Sequence, residues 1–194
     1  MADILQAAQS FNNLLDIEYQ ITLGKKNKTV NLTIYFEEVH FFHLAGLQYL
    51  KDLSGLLTES REQIFKKILK GTINKQQIES SNLYSEIKDR IDYLVFLENI
   101  MDSNKTVYKY NPKLNAFSAI QADFLLKNQI QSRNVFAFLS LDNEKGKYFC
   151  RSFFPQIEKD YSENQTSWTL LFKKKIKKST NEETVLYDRF KKII

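Results

Sequence analysis

Apolar residues at Ile4, Ala8, Phe11 and Leu15 recur at helical spacing and predict an amphipathic helix at the start of the chain. Alternation then takes over. Ile17, Tyr19, Ile21 and Leu23 face one way, Gly24-Lys25-Lys26-Asn27 supplies turn chemistry, and Val30, Leu32, Ile34 and Phe36 alternate again, which is the pattern of a hairpin. From about Val39 to Met101 the period is helical. Ser60 with Gln63 and Asn74 with Gln77 have capping-box spacing, Gly71 reads as a C-terminal stop, and Leu83, Ile87, Ile91, Leu94 and Val95 mark the longest helix.

After Ser103-Asn104 the alternating pattern returns, with strands near Val107 to Tyr110, Ala119 to Lys127, Val135 to Leu141, Lys147 to Phe154 and Thr166 to Lys177. Asp142-Asn143-Glu144-Lys145-Gly146 is a hairpin-loop sequence. The last strand places Trp168, Leu170, Phe172 and Ile176 on one face and Leu171, Lys173, Lys175 and Lys177 on the other. A final helix is predicted from Thr180 with Glu183, followed by Val185, Leu186, Phe190 and Ile193. The expected layout is α+β: an N-terminal helix and β-hairpin, a helical block over about 39–101, then an antiparallel β-sheet over about 106–178 with a C-terminal helix, in one domain 1–194.

Composition narrows the class. With 43% apolar residues, 13% aromatic residues, 5 Gly and 2 Pro, the chain differs from disordered and collagen-like sequences. A lone Cys150 forms no intramolecular disulfide. The segment Met1-Ala2-Asp3-Ile4 lacks the basic and apolar runs of a secretory signal, so a cytoplasmic location is expected. The longest apolar runs, such as Val135 to Leu139, fall well short of the roughly 20 residues of a membrane span, and no membrane contact is expected. The net charge of +5 is localised: up to Gln165 basic and acidic residues balance at 20 each, whereas from Thr166 onward 8 face 3. Such an asymmetry favours a local surface for a polyanion, with a solvated lysine-rich strand end as the competing reading.

No Gly-rich phosphate loop, Cys-x-x-Cys pair, nucleophile elbow or metalloprotease helix occurs, so no cofactor is expected. His40 and His43 stand one helical turn apart. With Glu37 or Glu38 they make an incomplete ligand set, and no metal site is assigned. His43 reads either as a half-buried core histidine or as a general acid or base whose pKa lies near neutrality. Gly46, placed inside the predicted helix, implies close approach of another segment.

The run Phe42-His43-Leu44-Ala45-Gly46-Leu47 through Leu50-Lys51-Asp52 resembles the helix motif of phage-associated nuclease domains grouped with barnase, EndoU, colicin-type and RelE-type ribonucleases, in their fourth described subgroup. Tyr148-Phe149-Cys150-Arg151-Ser152-Phe153-Phe154-Pro155, Asp160-Tyr161-Ser162, Gln165 and Leu171-Phe172-Lys173 are similar to the C-terminal sheet of that family, and the Ala119 to Lys127 strand fits as well. The resemblance implies a phage- or prophage-derived ribonuclease that cleaves RNA without metal through the ribose 2′-OH. On that reading His43 carries the proton, Arg151 and Tyr161 join it as catalytic residues, Ser152 and Gln165 donate to phosphate oxygens, and Lys173 and Lys175 attract the substrate. Arg151 covering apolar surface with its stem, Tyr161 bracing a turn, and Phe149, Phe153, Phe154 and Trp168 forming core are the structural alternatives. RNA is the expected partner, with a host protein or cognate inhibitor as another. The rival function is a non-catalytic phage-derived module or inhibitor that contacts nucleic acid or a host protein.

Overall fold

Asp3 opens the first helix by accepting from the backbone N–H of Gln6, whose side chain accepts in return from the Asp3 N–H, so two orphan donors are satisfied at once. The helix α1 (Ile4–Leu14) then buries Ile4, Ala7, Ala8, Phe11 and Leu14. The computed structural model describes residues 2–115 and 118–191. Strands β1 (Ile17–Lys25) and β2 (Lys28–Tyr35) pair antiparallel around a turn at Lys26-Asn27.

Between residues 38 and 102 the chain breaks into α2 (Glu38–Leu44), α3 (Arg61–Leu69), α4 (Lys75–Glu79), α5 (Tyr84–Leu94) and α6 (Leu97–Asp102), none longer than 11 residues. The breaks have local causes. Ser60 Oγ accepts from the Gln63 N–H to start α3, Gly71 at φ +73 ends it, and Asn74 and Gln77 form a reciprocal cap that starts α4.

Strands β3 (Val107–Lys109), β4 (Phe124–Ile130), β5 (Arg133–Asp142), β6 (Lys147–Pro155), β7 (Thr166–Lys177) and β8 (Glu182–Asp188) follow. Their order is β1-β2-β6-β5-β4-β3-β7, and β7 returns to pair with β1, so seven strands close a barrel while β8 extends the free edge of β7. This corrects the expected layout. The N-terminal hairpin is part of the same wall as the later strands, joined by β1 to β7 antiparallel over Ile17–Gly24 and by β2 to β6 parallel at Ile34 and Tyr35. Closure removes edges that an open sheet would expose.

The expected C-terminal helix is also corrected. Thr184, Val185 and Tyr187 favour an extended chain, and β8 lies antiparallel on β7 with Glu183 bonded to Lys174 at 2.7 Å across the pair. Ile193, the last apolar position assigned to that helix, lies outside the described residues. The expected strand beginning at Ala119 starts instead at Phe124. One apolar cluster joins the alternating residues of the barrel wall, such as Tyr19, Ile21, Ile34, Leu126, Ala137 and Leu139, to the buried faces of the helices. A second, of Tyr110, Leu125, Phe136 and Phe138, lies on the other face of β4 and β5, with Ile120, Phe154 and Tyr161 packed against it. No described helix is long and apolar enough to cross a membrane.

Candidate active site

Phe41 and Leu44 of α2 are fully buried, and the same three-residue spacing lines up His40 and His43 one position earlier along the helix. That histidine face looks onto β6 across a cleft of ≈ 650 Å³, whose lining includes Gln48, Tyr49 and Arg61 with Phe149, Arg151 and Ser152. Two backbone irregularities shape it. Gly46, just past the end of α2, adopts φ +81, and its Cα approaches α5 so closely that a Cβ there would stand 2.9 Å from both Ile87 Cγ2 and Arg90 Cδ. The close approach expected at Gly46 is present, but the glycine stands just past the end of a helix and not inside one, where the sequence pattern placed it.

The second irregularity is a β-bulge. Phe138 pairs with Ser152 and Leu139 with Cys150, which leaves Arg151 without an opposite residue on β5. An unpaired bulge residue is re-aimed relative to the regular pleat, and Arg151 thereby joins Phe149 and Ser152 at the cleft.

His43 is half-buried. Burial lowers its pKa below the ordinary imidazole value, the Arg61 and Arg151 charges lower it further, and only the neighbouring Gln48 side chain favours the protonated form. The ring is therefore neutral at pH 7, ready to accept a proton. Gln48 Oε1 is itself buried and meets no hydrogen-bond donor among the described residues.

His40 does something different. Its ring stacks on Phe149 with centroids 5.0 Å apart and meets Tyr35 edge-on at 5.4 Å, while Nδ1 accepts from the Glu37 N–H at 3.1 Å. Burial pushes its pKa down to about 4, so it remains a neutral spacer between α2 and β6. The outer rim is a closed polar set: Tyr35 Oη donates to Asp142 Oδ2 at 2.5 Å, and Lys145 Nζ binds Glu37 Oε1 at 2.5 Å while lying 4.7 Å from the Tyr35 ring centroid. Burial and the Asp142 carboxylate push Tyr35 up to about 12, and the Tyr35 hydrogen bond holds Asp142 below the usual carboxylate range.

Of the residues named from the sequence, His43, Arg151 and Ser152 meet in this cleft. Tyr161 does not: its ring packs edge-on against Phe136, Phe138 and Phe154 in the second apolar cluster. Gln165 spends its amide on the Asn111 backbone, accepting at 2.7 Å and donating at 3.2 Å. Lys173 is 1% exposed, its ammonium donating to the carbonyls of Met101 at 2.9 Å and of Ser103, and burial pushes its pKa down to about 8. Lys175 pairs with Glu98 at 2.5 Å and Asp102 at 3.1 Å. The basic face of β7 is thus largely consumed in holding α6.

Arg61 and Gln48 carried no signal in the linear pattern. Arg61 is the first residue of α3 and reads as an ordinary solvated helix start; only the tertiary packing of α3 beside α2 brings it to His43. Among the described residues no three His, Cys, Asp or Glu side chains converge as a metal-binding group. A family model described as phage-Barnase-EndoU-ColicinE5/D-RelE like nuclease4 matches residues 3–189 of the chain. No curated protein and no solved structure matches it.

Proposed function

Because the chain belongs to the phage-Barnase-EndoU-ColicinE5/D-RelE-like nuclease family, we propose that the cleft between α2 and β6 cleaves RNA by transesterification through the ribose 2′-OH, without a metal. The observation that carries this reading is the meeting of a neutral imidazole with two guanidinium groups, His43 with Arg61 and Arg151, around one open cleft. The chemistry assigns itself to those groups. His43 takes the 2′-OH proton, the 2′-oxygen attacks phosphorus, and the 5′-oxygen departs as an alcohol protonated by solvent at the cleft mouth. Arg151, free of cross-strand pairing at its bulge, and Arg61 offer forked donors to the non-bridging oxygens, where negative charge grows in the phosphorane. Ser152 adds a hydroxyl at the same wall.

The test is incubation of the purified protein with RNA in excess EDTA, followed by analysis of the new ends. Cleavage leaving 2′,3′-cyclic phosphate, lowered about 10²- to 10⁴-fold in His43→Ala, supports the reading. Cleavage that requires a divalent ion, or equal cleavage of DNA, which has no 2′-OH, refutes the transesterification. Nucleic-acid binding with no turnover under any condition favours a non-catalytic module.

A further inference from the structure

The end of the barrel away from α2 carries a second hollow that the cleavage reading does not use. It measures ≈ 680 Å³ and is lined by Lys25, Lys26 and Lys28 at the tip of the β1–β2 hairpin, by Lys109, and by Trp168. Among the described residues no acidic side chain lines it. Most of the chain's other described lysines near the barrel are committed: Lys127, Lys145, Lys147, Lys174 and Lys175 each meet a carboxylate within 4.0 Å, and Lys173 is buried on carbonyls. The three hairpin lysines make no such pair among the described residues, so their charge faces solvent uncompensated. Lys109 does meet Asp123, at 3.3 Å, and contributes less.

Trp168 supplies the second half of the argument. It is half-buried, with one edge against Phe124 at 6.5 Å between centroids, and it lines the hollow beside the lysines. A core tryptophan needs no such surroundings. Uncompensated cations beside a partly exposed aromatic ring are what a flexible polyanion with flat bases requires: phosphates meet the ammonium groups while a base stacks on the indole. A duplex keeps its bases inside and has nothing to place on the ring.

We propose that this hollow is a binding site for single-stranded nucleic acid, separate from the cleavage cleft. Strand β2 runs from one to the other, with Lys28 at the hollow and Tyr35 at the cleft. At about 3.3 Å per residue the two sites lie roughly 23 Å apart, so one strand of several nucleotides reaches both. Binding here depends on charge and stacking, and it stands whether or not the His43 cleft cuts.

Trp168 is the only tryptophan, so its emission reports the site directly. The probe is fluorescein-labelled oligo(dT), which lacks the 2′-OH and survives any transesterification. Binding is followed by anisotropy, and unlabelled oligo(dT) is used for the emission. The expected results are quenching of Trp168 and a log–log salt slope of roughly −2 for three phosphate contacts on a single strand. The triple variant Lys25→Gln, Lys26→Gln, Lys28→Gln loses at least about tenfold in affinity and flattens that slope. Heparin, a polyanion without bases, displaces the oligonucleotide but does not quench. Unchanged affinity in the triple variant, unchanged Trp168 emission on binding, equal quenching by heparin, or equal competition by duplex DNA each overturns the proposal. Failure of RNA cleavage with oligo(dT) binding intact sinks only the reading of the cleft.

Discussion

Replacing Gly46 by Ala introduces one methyl group, and the structure separates its cost into two parts. At φ +81 an L-residue is disfavoured by about 1–2 kcal/mol relative to glycine. The new Cβ would also stand 2.9 Å from Arg90 Cδ and 2.9 Å from Ile87 Cγ2, closer than a methyl can approach. Neither neighbour yields cheaply. Ile87 is 0% exposed, and the Arg90 guanidinium donates to the Phe153 carbonyl at 3.0 Å while lying 5.3 Å from the Tyr49 ring and 4.9 Å from that of Phe154. Overpacking of this kind adds about 1–3 kcal/mol, for a total of about 2–5 kcal/mol. Gly71 provides the control: its φ of +73 is nearly the same, yet among the described residues nothing lies within 4 Å of a Cβ there. Gly71→Ala therefore carries only the conformational part. Urea unfolding of both variants, read by Trp168 emission and by circular dichroism with m unchanged, measures the difference. If the two variants lose the same stability to within about 0.5 kcal/mol, the close approach of α2 to α5 is not what selects glycine at position 46.

Three further outcomes are expected. If neutral His43 is the proton acceptor, the acid limb of the cleavage rate lies below the ordinary imidazole pKa of about 6.5, because burial and the two arginines lower its pKa; a limb at or above that value contradicts the assignment. His40 falls from 6.5 unfolded to about 4 folded, so between those values the unfolded chain binds more protons and stability is lost as pH drops, by an amount on the order of 3 kcal/mol; His40→Phe flattens this slope in denaturant midpoints taken between pH 7 and 4. Lys173→Met leaves the Met101 and Ser103 carbonyls without their donor and costs about 1–3 kcal/mol for each, with oligo(dT) affinity unchanged; weakened binding at full stability would return this lysine to the nucleic-acid surface.

Local chemistry was legible in the sequence wherever it decides the outcome alone. Alternation gave β1 and β2, the Asn74 and Gln77 spacing gave a reciprocal cap, and the three-residue step from His40 to His43 put both rings at one cleft. Pairing over long range was not legible. Nothing in residues 17–24 announces a partner at 169–177, and the barrel rests on that pairing. The terminal strand escaped the sequence pattern because Thr180 with Glu183 mimics a capping box, whereas Glu183 pairs with Lys174 of β7 and the segment runs as an extended ladder on that strand. Lys173 misled for a related reason: alternation assigns it a face but does not say that α6 covers that face. Tyr161 lies ten residues from Arg151 along the chain, yet the segment between seats its ring on Phe136, Phe138 and Phe154 and not in the lining of the cleft.

The topology explains why the candidate residues gather at one end of the barrel. β1 begins and β2 finishes there, so α1 enters and α2 leaves at the same rim, and Glu18 pairing with Tyr35 marks that rim. The catalytic candidates are consequently borne on two kinds of support, a rigid wall and a helix docked onto it. Arg151 is aimed by a defect in the wall, and His43 by the contact of Gly46 with α5. Their separation is set by the aromatic stack of His40 on Phe149, which joins helix to strand between them. Loss of that stack should therefore disturb cleavage through the spacing of His43 and Arg151 even though His40, neutral and bonded to the Glu37 backbone, transfers no proton itself. The hairpin tip lies at the far end of β2 from this arrangement, so variants at the tip are expected to alter the proposed oligonucleotide binding and leave the spacing of His43 and Arg151 as it is.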